Sequence, residues 1–282
     1  MEEKICAYHA EDLFFHHTVS PWRDPKKFPL HAHEMNEVLV ILSGKGVMRV
    51  EGNEYELFPG AVFLMRDGES HKILVREDEP YERIAIRFSS SLLSSLDPKG
   101  ELSVPFRERR LGTGNVFRLR SLQGLIPTVL ELGENTSSYR IRLTVTAFLY
   151  ALLIEVSNQF VSEDHSFGER KELGKIYEII EFVNQNLSKD LSLDAIAADF
   201  YLSKSQLSRS FKKATGSTLW DYVLIKRLFL ARSLIREGES ISGACERSGF
   251  REYSSFYRAY KKRFGVSPNQ DRVSGGELKD SI

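Results

Sequence analysis

The 282-residue sequence predicts an α+β chain: an antiparallel β-barrel, then a helical pair, then an all-α domain made of two helix-turn-helix units. Three observations predict it. Short runs rich in Val, Ile, Leu and Phe, each closed by Gly, Ser or Asp, crowd residues 31–88. Apolar residues recur at helical spacing between Val116 and Phe160. Between residues 191 and 268 one helix-Gly-helix pattern occurs twice.

In chain order, residues 1–30 carry Phe14, Phe15, His16, His17, Trp22 and Phe28 among Pro21, Pro25 and Pro29. The prolines argue against a regular helix, so an extended N-terminal arm is expected, packed on the next domain or covering a pocket. Residues 31–90 read as the barrel, with strands in EVLVILSG, GVMRVEG, NEYELFPG, AVFLMRDG and YERIAIRFS. His31, His33 and Glu37 are all odd-numbered and would share one face of an extended strand, with His71 brought alongside by a neighbouring strand. Three imidazoles and a carboxylate suit a divalent transition metal such as zinc, nickel, manganese or iron. The same four side chains can instead hydrogen-bond a polar effector such as a sugar, or be satisfied core residues. All three readings stand at this point.

Residues 91–161 are expected to be a helical segment. One helix is predicted from Val116 to about Glu131, with Leu122, Leu125, Ile126 and Val129 at its spacing. A second is predicted from Tyr139 to Phe160, with Leu143, Ala147, Tyr150 and Ile154 at its spacing, the pair covering the barrel. The most apolar stretch, Val145–Val156, is interrupted by Glu155 and reads as too short for a bilayer, so no membrane partner is expected. Polar residues 162–172, SEDHSFGERKE, read as the linker, and residues 273–282 as a disordered tail.

Residues 173–272 hold the repeat. In the first copy a helix passes through Ala197, breaks at Tyr201 and Leu202, and restarts with Ser203 as N-cap and Leu207 and Phe211 inward. In the second, Ile241–Ser248 is cut by Gly249 from a helix with Phe256, Tyr260 and Phe264 on one face. Arg209 and Phe211 recur 49 positions later as Arg258 and Tyr260. Both copies close in a basic pair and a Gly, which is the pattern of a DNA-binding helix-turn-helix. The exposed early positions, expected to reach bases, are Lys204, Ser205, Ser208 and Arg209, then Tyr253, Ser254, Tyr257 and Arg258. Lys212 and Lys261 lie later and suit phosphate. A helix over 219–237 joins the copies and would span roughly 28 Å, near the roughly 34 Å between successive major grooves on one face of DNA.

Over these hundred residues the chain resembles the AraC/XylS family of bacterial transcription regulators. The matching positions include Ala197, Ser203, Leu207, Arg209, Phe211, Gly216, Arg227, Gly249, Phe256, Arg258, Gly265 and Pro268. Ala244, Cys245 and Asp271 depart from the family pattern. The stretch from His31 to Gly44, followed by a Pro-Gly and His71, resembles the cupin barrel. The resemblance implies double-stranded promoter DNA as partner and a small-molecule effector, with a carbohydrate a common theme. It also implies a homodimer through the helical segment, and RNA polymerase contact if the outcome is activation, the commoner one.

Charge agrees with this division. Residues 171–272 hold 18 Lys and Arg against 12 Asp and Glu, and the remainder 21 against 27, although the whole chain is neutral. Cys6 and Cys245 are too distant for a disulfide framework, and the acidic start lacks a signal peptide's basic segment. A cytoplasmic, effector-controlled regulator that is not an enzyme is therefore expected, with no required cofactor. The competing expectation is a metal-dependent cupin enzyme or metal sensor fused to a DNA-binding domain.

Overall fold

The computed structural model describes residues 3–20, 30–75, 80–118, 121, 123–133, 135–162 and 174–276. The chain divides into two compact units, 1–173 and 174–282. The expected linker at 162–172 lies outside the described residues after Ser162, as do Pro21, Trp22, Pro25, Phe28, Pro29 and Leu122.

The first unit is built on two antiparallel sheets. Six strands run in the order β1 (Glu3–His9), β2 (Leu13–Ser20), β8 (Tyr81–Phe88), β3 (Asn36–Ser43), β6 (Ala61–Met65) and β9 (Val116–Arg118). Three more run β5 (Asn53–Leu57), β4 (Gly46–Val50), β7 (His71–Val75). The expected N-terminal arm is therefore corrected: residues 3–20 are two strands of the barrel itself. Leu13, Phe15 and His17 alternate inward, and β2 pairs with β8 from Leu13↔Phe88 to Ser20↔Tyr81. The extended backbone is as expected; pairing with β8 makes it part of the sheet, because the alternation buries one side of β2.

β3 is buried on both faces, because its alternating residues serve two cores. Val38 and Val40 join Phe15, Ile84, Ile86 and Phe88 in the layer beneath the helices. Leu39 and Ile41 join Met48, Tyr55, Phe63 and Ile73 between the sheets. Residues 90–107 supply α1 (Ser90–Leu96) and α2 (Val104–Arg107).

The first expected helix of the pair is also corrected. Val116 and Phe117 pair with Phe63 and Val62 as β9, and a 3-10 turn at Gln123–Leu125 leads into a five-residue α3, Ile126–Leu130. Their burial in the sheet outweighs a helical period that had only a few residues to declare itself. α4 runs from Ser138 to Val161 with Ser137 as its N-cap, 24 residues that are long and apolar enough to cross a membrane. The expectation that this stretch was too short is thus corrected. Its apolarity has another explanation on one face, where Ile141, Val145, Leu149, Leu152 and Val156 are buried on the sheet. Leu143, Ala147, Tyr150 and Ile154 lie on its other face and are exposed.

The second unit is α5 (Lys175–Gln185), α6 (Leu193–Asp199), α7 (Lys204–Thr215), α8 (Leu219–Arg236), α9 (Ile241–Arg247), α10 (Tyr253–Phe264) and α11 (Pro268–Gly276). Ser203 and Gln206 form a reciprocal capping box at α7, and Gly216 and Gly265 close α7 and α10 in the left-handed conformation. α11 continues to Gly276, which corrects the expected tail for residues 273–276; residues 277–282 lie outside the described ones. Ala244 and Cys245 are buried against Leu228, Ala231 and Phe256. Asp271, where the resemblance expects an aromatic, takes the Arg232 guanidinium at 2.5 Å and the Tyr260 hydroxyl at 2.7 Å. With Arg236 at 3.4 Å as its third partner, a buried carboxylate replaces stacking at that position.

Candidate functional site

In the second unit, the residues expected to meet DNA lie on the outer faces of two helices. Lys204, Ser205, Ser208, Arg209 and Lys212 are exposed on α7, opposite buried Leu207 and Phe211. On α10 Tyr253, Ser254, Arg258 and Lys261 are exposed, opposite buried Phe256 and Tyr260, while Tyr257 is half-buried with its ring 6.3 Å from that of Tyr253. Lys204 pairs with Asp194 at 2.6 Å, and Arg209 Nε donates to its own helix at Ser205 O, 3.2 Å. Arg258 has no partner among the described residues, so its planar donor fork is available for a guanine edge or a phosphate.

The two copies are locked by α8. Arg227 on α8 donates through Nε to Leu187 O at 2.9 Å and through a terminal nitrogen to Lys189 O at 2.9 Å. Gly249, φ +87°, lies against the same place: a Cβ there would stand 2.1 Å from Leu187 O and 2.8 Å from Arg227 Nε. Arg251 from the second turn also pairs with Asp190 from the loop that precedes α6 in the first copy. The turns differ in length. Tyr201, in the left-handed region at φ +53°, precedes the N-cap Ser203 by two residues, whereas Gly249 precedes the N-cap Glu252 by three.

In the barrel, the four candidate residues converge by a route other than one strand. His31 forms an isolated bridge with His71, and His33 lies in the loop before β3, so only Glu37 sits on β3 and His71 on β7. That corrects the single-strand reading while keeping the cluster. The rings of His31, His33 and His71 lie 4.5–5.0 Å apart, and Glu37 Oε2 is 3.4 Å from His33 Nε2 and 3.1 Å from His71 Nε2. His71 Nδ1 lies 2.8 Å from Glu69 O, which assigns the proton to Nδ1 and turns Nε2 to the pocket. That Nε2 is close enough to Glu37 for charge attraction but off the line of a hydrogen bond.

Burial alone would raise the Glu37 carboxyl, yet the His33 and His71 rings hold it well below the usual carboxylate range. Burial lowers His33 against the pull of Glu37. For His71 burial acts in the same direction, but the Glu37 contact prevails and its pKa is raised. His71 and Glu37 thus favour each other's charged forms.

The cluster lines a cavity of about 200 Å³ whose other walls are Phe14, His16, Leu39, Met48, Ile73, Arg83, Ala85 and Arg87. Of these, sequence reasoning singled out Phe14 and His16, as arm residues that could cover a pocket, and missed the other six. The available signal was period two: Phe14 and His16 on β2, and Arg83, Ala85 and Arg87 on β8, all face the cavity, while their neighbours Phe15, Ile84 and Ile86 face the helices. The donors of His31, His33 and His71 lie within 4.8 Å of one another, so this set fits a divalent transition metal as well as it fits a polar molecule.

Residues 196–273 match the family described as a helix-turn-helix domain, and residues 23–87 the family described as a cupin domain. The HTH-type transcriptional activator RhaS of Enterobacter sp. (strain 638) is 24% identical over 266 residues, 90% of this chain and 91% of that protein. The HTH-type transcriptional activator RhaR of Mannheimia succiniciproducens is 25% identical over 247 residues, 87% of each. Among solved structures, ToxT from Vibrio cholerae is 15% identical over 93% of this chain and 98% of its own, with a TM-score of 0.39.

Proposed function

The chain belongs to the AraC/XylS family of transcription regulators, and from that membership we propose that it is a homodimeric, cytoplasmic activator switched by a small molecule in its barrel. It is a DNA-binding regulator and not an enzyme. The observation that carries the DNA reading is the pair of helices α7 and α10, each with a Ser- and Arg-bearing exposed face, held on one rigid connector by Arg227 and Gly249. α8 has 18 residues, roughly 27 Å at about 1.5 Å each, so one chain supports two helices at about the separation of adjacent major grooves. Lys204, Ser205, Ser208 and Arg209 would read one groove and Tyr253, Ser254, Tyr257 and Arg258 the next, with Lys212 and Lys261 on phosphates. RNA polymerase is the further partner of an activator.

Selection of genomic fragments by the purified protein at near-physiological salt tests this. A paired motif should emerge, relaxed at one half in Arg209→Ala and at the other in Arg258→Ala, each losing about 1–3 kcal/mol for its cognate base. Uniform binding with no motif in any protein would refute sequence-specific regulation.

Dimerisation is supported by the outward face of α4. Tyr139, Leu143, Tyr150, Ile154 and Val161 are 78, 59, 39, 41 and 74% exposed, and they recur every eleven residues in two interleaved series, three turns of helix apart. A second copy of the same stripe would cover them. For the barrel, His31, His33, Glu37 and His71 would contact the effector. The fit of His31, His33 and His71 to a metal keeps one alternative: those three would hold a divalent ion, with Glu37 beside it, and the ion would supply a Lewis-acid contact to the effector. Elemental analysis of the full chain distinguishes them, since stoichiometric zinc, nickel, manganese or iron is expected only in the second case.

A further inference from the structure

The cavity walls carry an uneven charge. Arg83 and Arg87 enter from β8, and among the described lining residues Glu37 is the acid that faces them. Glu37 is already engaged, with its Oε2 between His33 and His71. Arg87 is half-buried, its guanidinium 4.0 Å from the Phe14 ring centroid and one terminal nitrogen 3.2 Å from His33 Nδ1. Among the described residues it has no carboxylate within 4.0 Å, the distance of an ion pair. Phe14 and His33 thus hold the planar fork at the cavity wall, while Glu37, its partner across the strands, acts on it from beyond ion-pair distance. A partly desolvated guanidinium is costly unless a counter-charge arrives, and the group that matches its fork is a planar or tetrahedral oxyanion.

The rest of the cavity defines the remainder of the ligand. Leu39, Met48 and Ile73 add apolar contact to the wall, and His31 and His71 add imidazole nitrogens. About 200 Å³ is below the roughly 300–1,000 Å³ of pockets for drug-sized ligands, so the occupant is a single small unit. We propose that the effector is an acidic sugar: one small polyhydroxylated unit bearing a carboxylate or a phosphate, whose oxyanion pairs with Arg87. This rests on the reading of the barrel as an effector pocket, and it makes charge the property by which the pocket rejects ordinary neutral sugars.

The test is titration calorimetry of the full chain against matched sets of probes: hexoses and pentoses, their uronic and aldonic acids, and their phosphate monoesters. Saturable binding is expected for acid members and not for their neutral parents, and the carboxylate and phosphate arms identify which oxyanion is taken. Arg87→Gln should weaken that binding roughly 10- to 100-fold and Arg87→Lys by less, as expected for loss of a charge-assisted fork. Added salt should weaken acid binding to the unaltered protein, which gives the same answer where Arg87→Gln does not fold. A neutral sugar binding as tightly as its acid, or acid binding indifferent to both Arg87→Gln and salt, overturns the proposal and leaves the effector pocket standing. Binding by neither class overturns both.

Discussion

At Gly249 two requirements coincide: a left-handed backbone, and a carbonyl where a side chain would begin. Gly249→Ala should therefore cost about 2–3 kcal/mol in urea unfolding, because the backbone is strained and Leu187 and Arg227 must both move. The same variant should lose paired-site selection, since Arg227 is the clamp between the copies. In the barrel, Glu69 contributes to stability through its ionisation. It accepts from Arg109 at 2.7 and 2.5 Å, from the Gly112 and Arg66 amides at 2.8 and 3.0 Å, and from Asn115 at 3.2 Å. Burial opposes its charge, but Arg109 and these donors push its carboxyl down to about 2. A depressed folded-state value stabilises above the unfolded value of about 4.3 and is lost as pH falls through about 2. Glu69→Gln should be less stable than the parent by about 3 kcal/mol at pH 7, with the gap narrowing between those two pH values in urea titrations.

Among the elements, α4 is the one that serves two surfaces. One face is the lid of the barrel core, and the other is a stripe of five large apolar side chains in water. Leu143→Glu with Ile154→Glu changes only exposed positions, so the fold should survive with a stability change within about 0.5 kcal/mol for each. Sedimentation should then show monomers where the parent is dimeric; a dimer that persisted would place the contact elsewhere. α4 also grips the β1–β2 turn, with Arg142 donating to both oxygens of Asp12 at 2.8 and 2.7 Å. That pair is about a third exposed, so Arg142→Ala should cost under about 1 kcal/mol of stability. Its position is of interest because Asp12 lies two residues from Phe14 in the cavity wall, and Arg142 one residue from Leu143 in the stripe.

For the whole molecule, the neutral total charge conceals a basic helical unit and an acidic barrel unit. If effector and DNA act on one dimer, linkage requires their effects to be reciprocal. DNA with correctly spaced half-sites should shift effector affinity by the same factor that effector shifts DNA affinity, both measured by titration at fixed salt. Equal effector affinity with and without DNA would dissociate the two sites. The helical unit was legible without coordinates because its determinants are local: the Ser203 cap, the Gly249 turn and the four-residue aromatic spacing on α10 each act within one or two turns of chain. The four-residue cluster of the barrel was legible too, because those residues are few, polar and closely spaced. Tertiary structure alone decided the rest. It made residues 3–20 strands by pairing Leu13 with Phe88, it drew Val116 and Phe117 out of a helix to close the sheet at β6, and it turned Arg87 and Phe14 toward the histidines. Strand pairing joins residues far apart in sequence, and the side a strand residue faces has chemical meaning only once its partner strands are known.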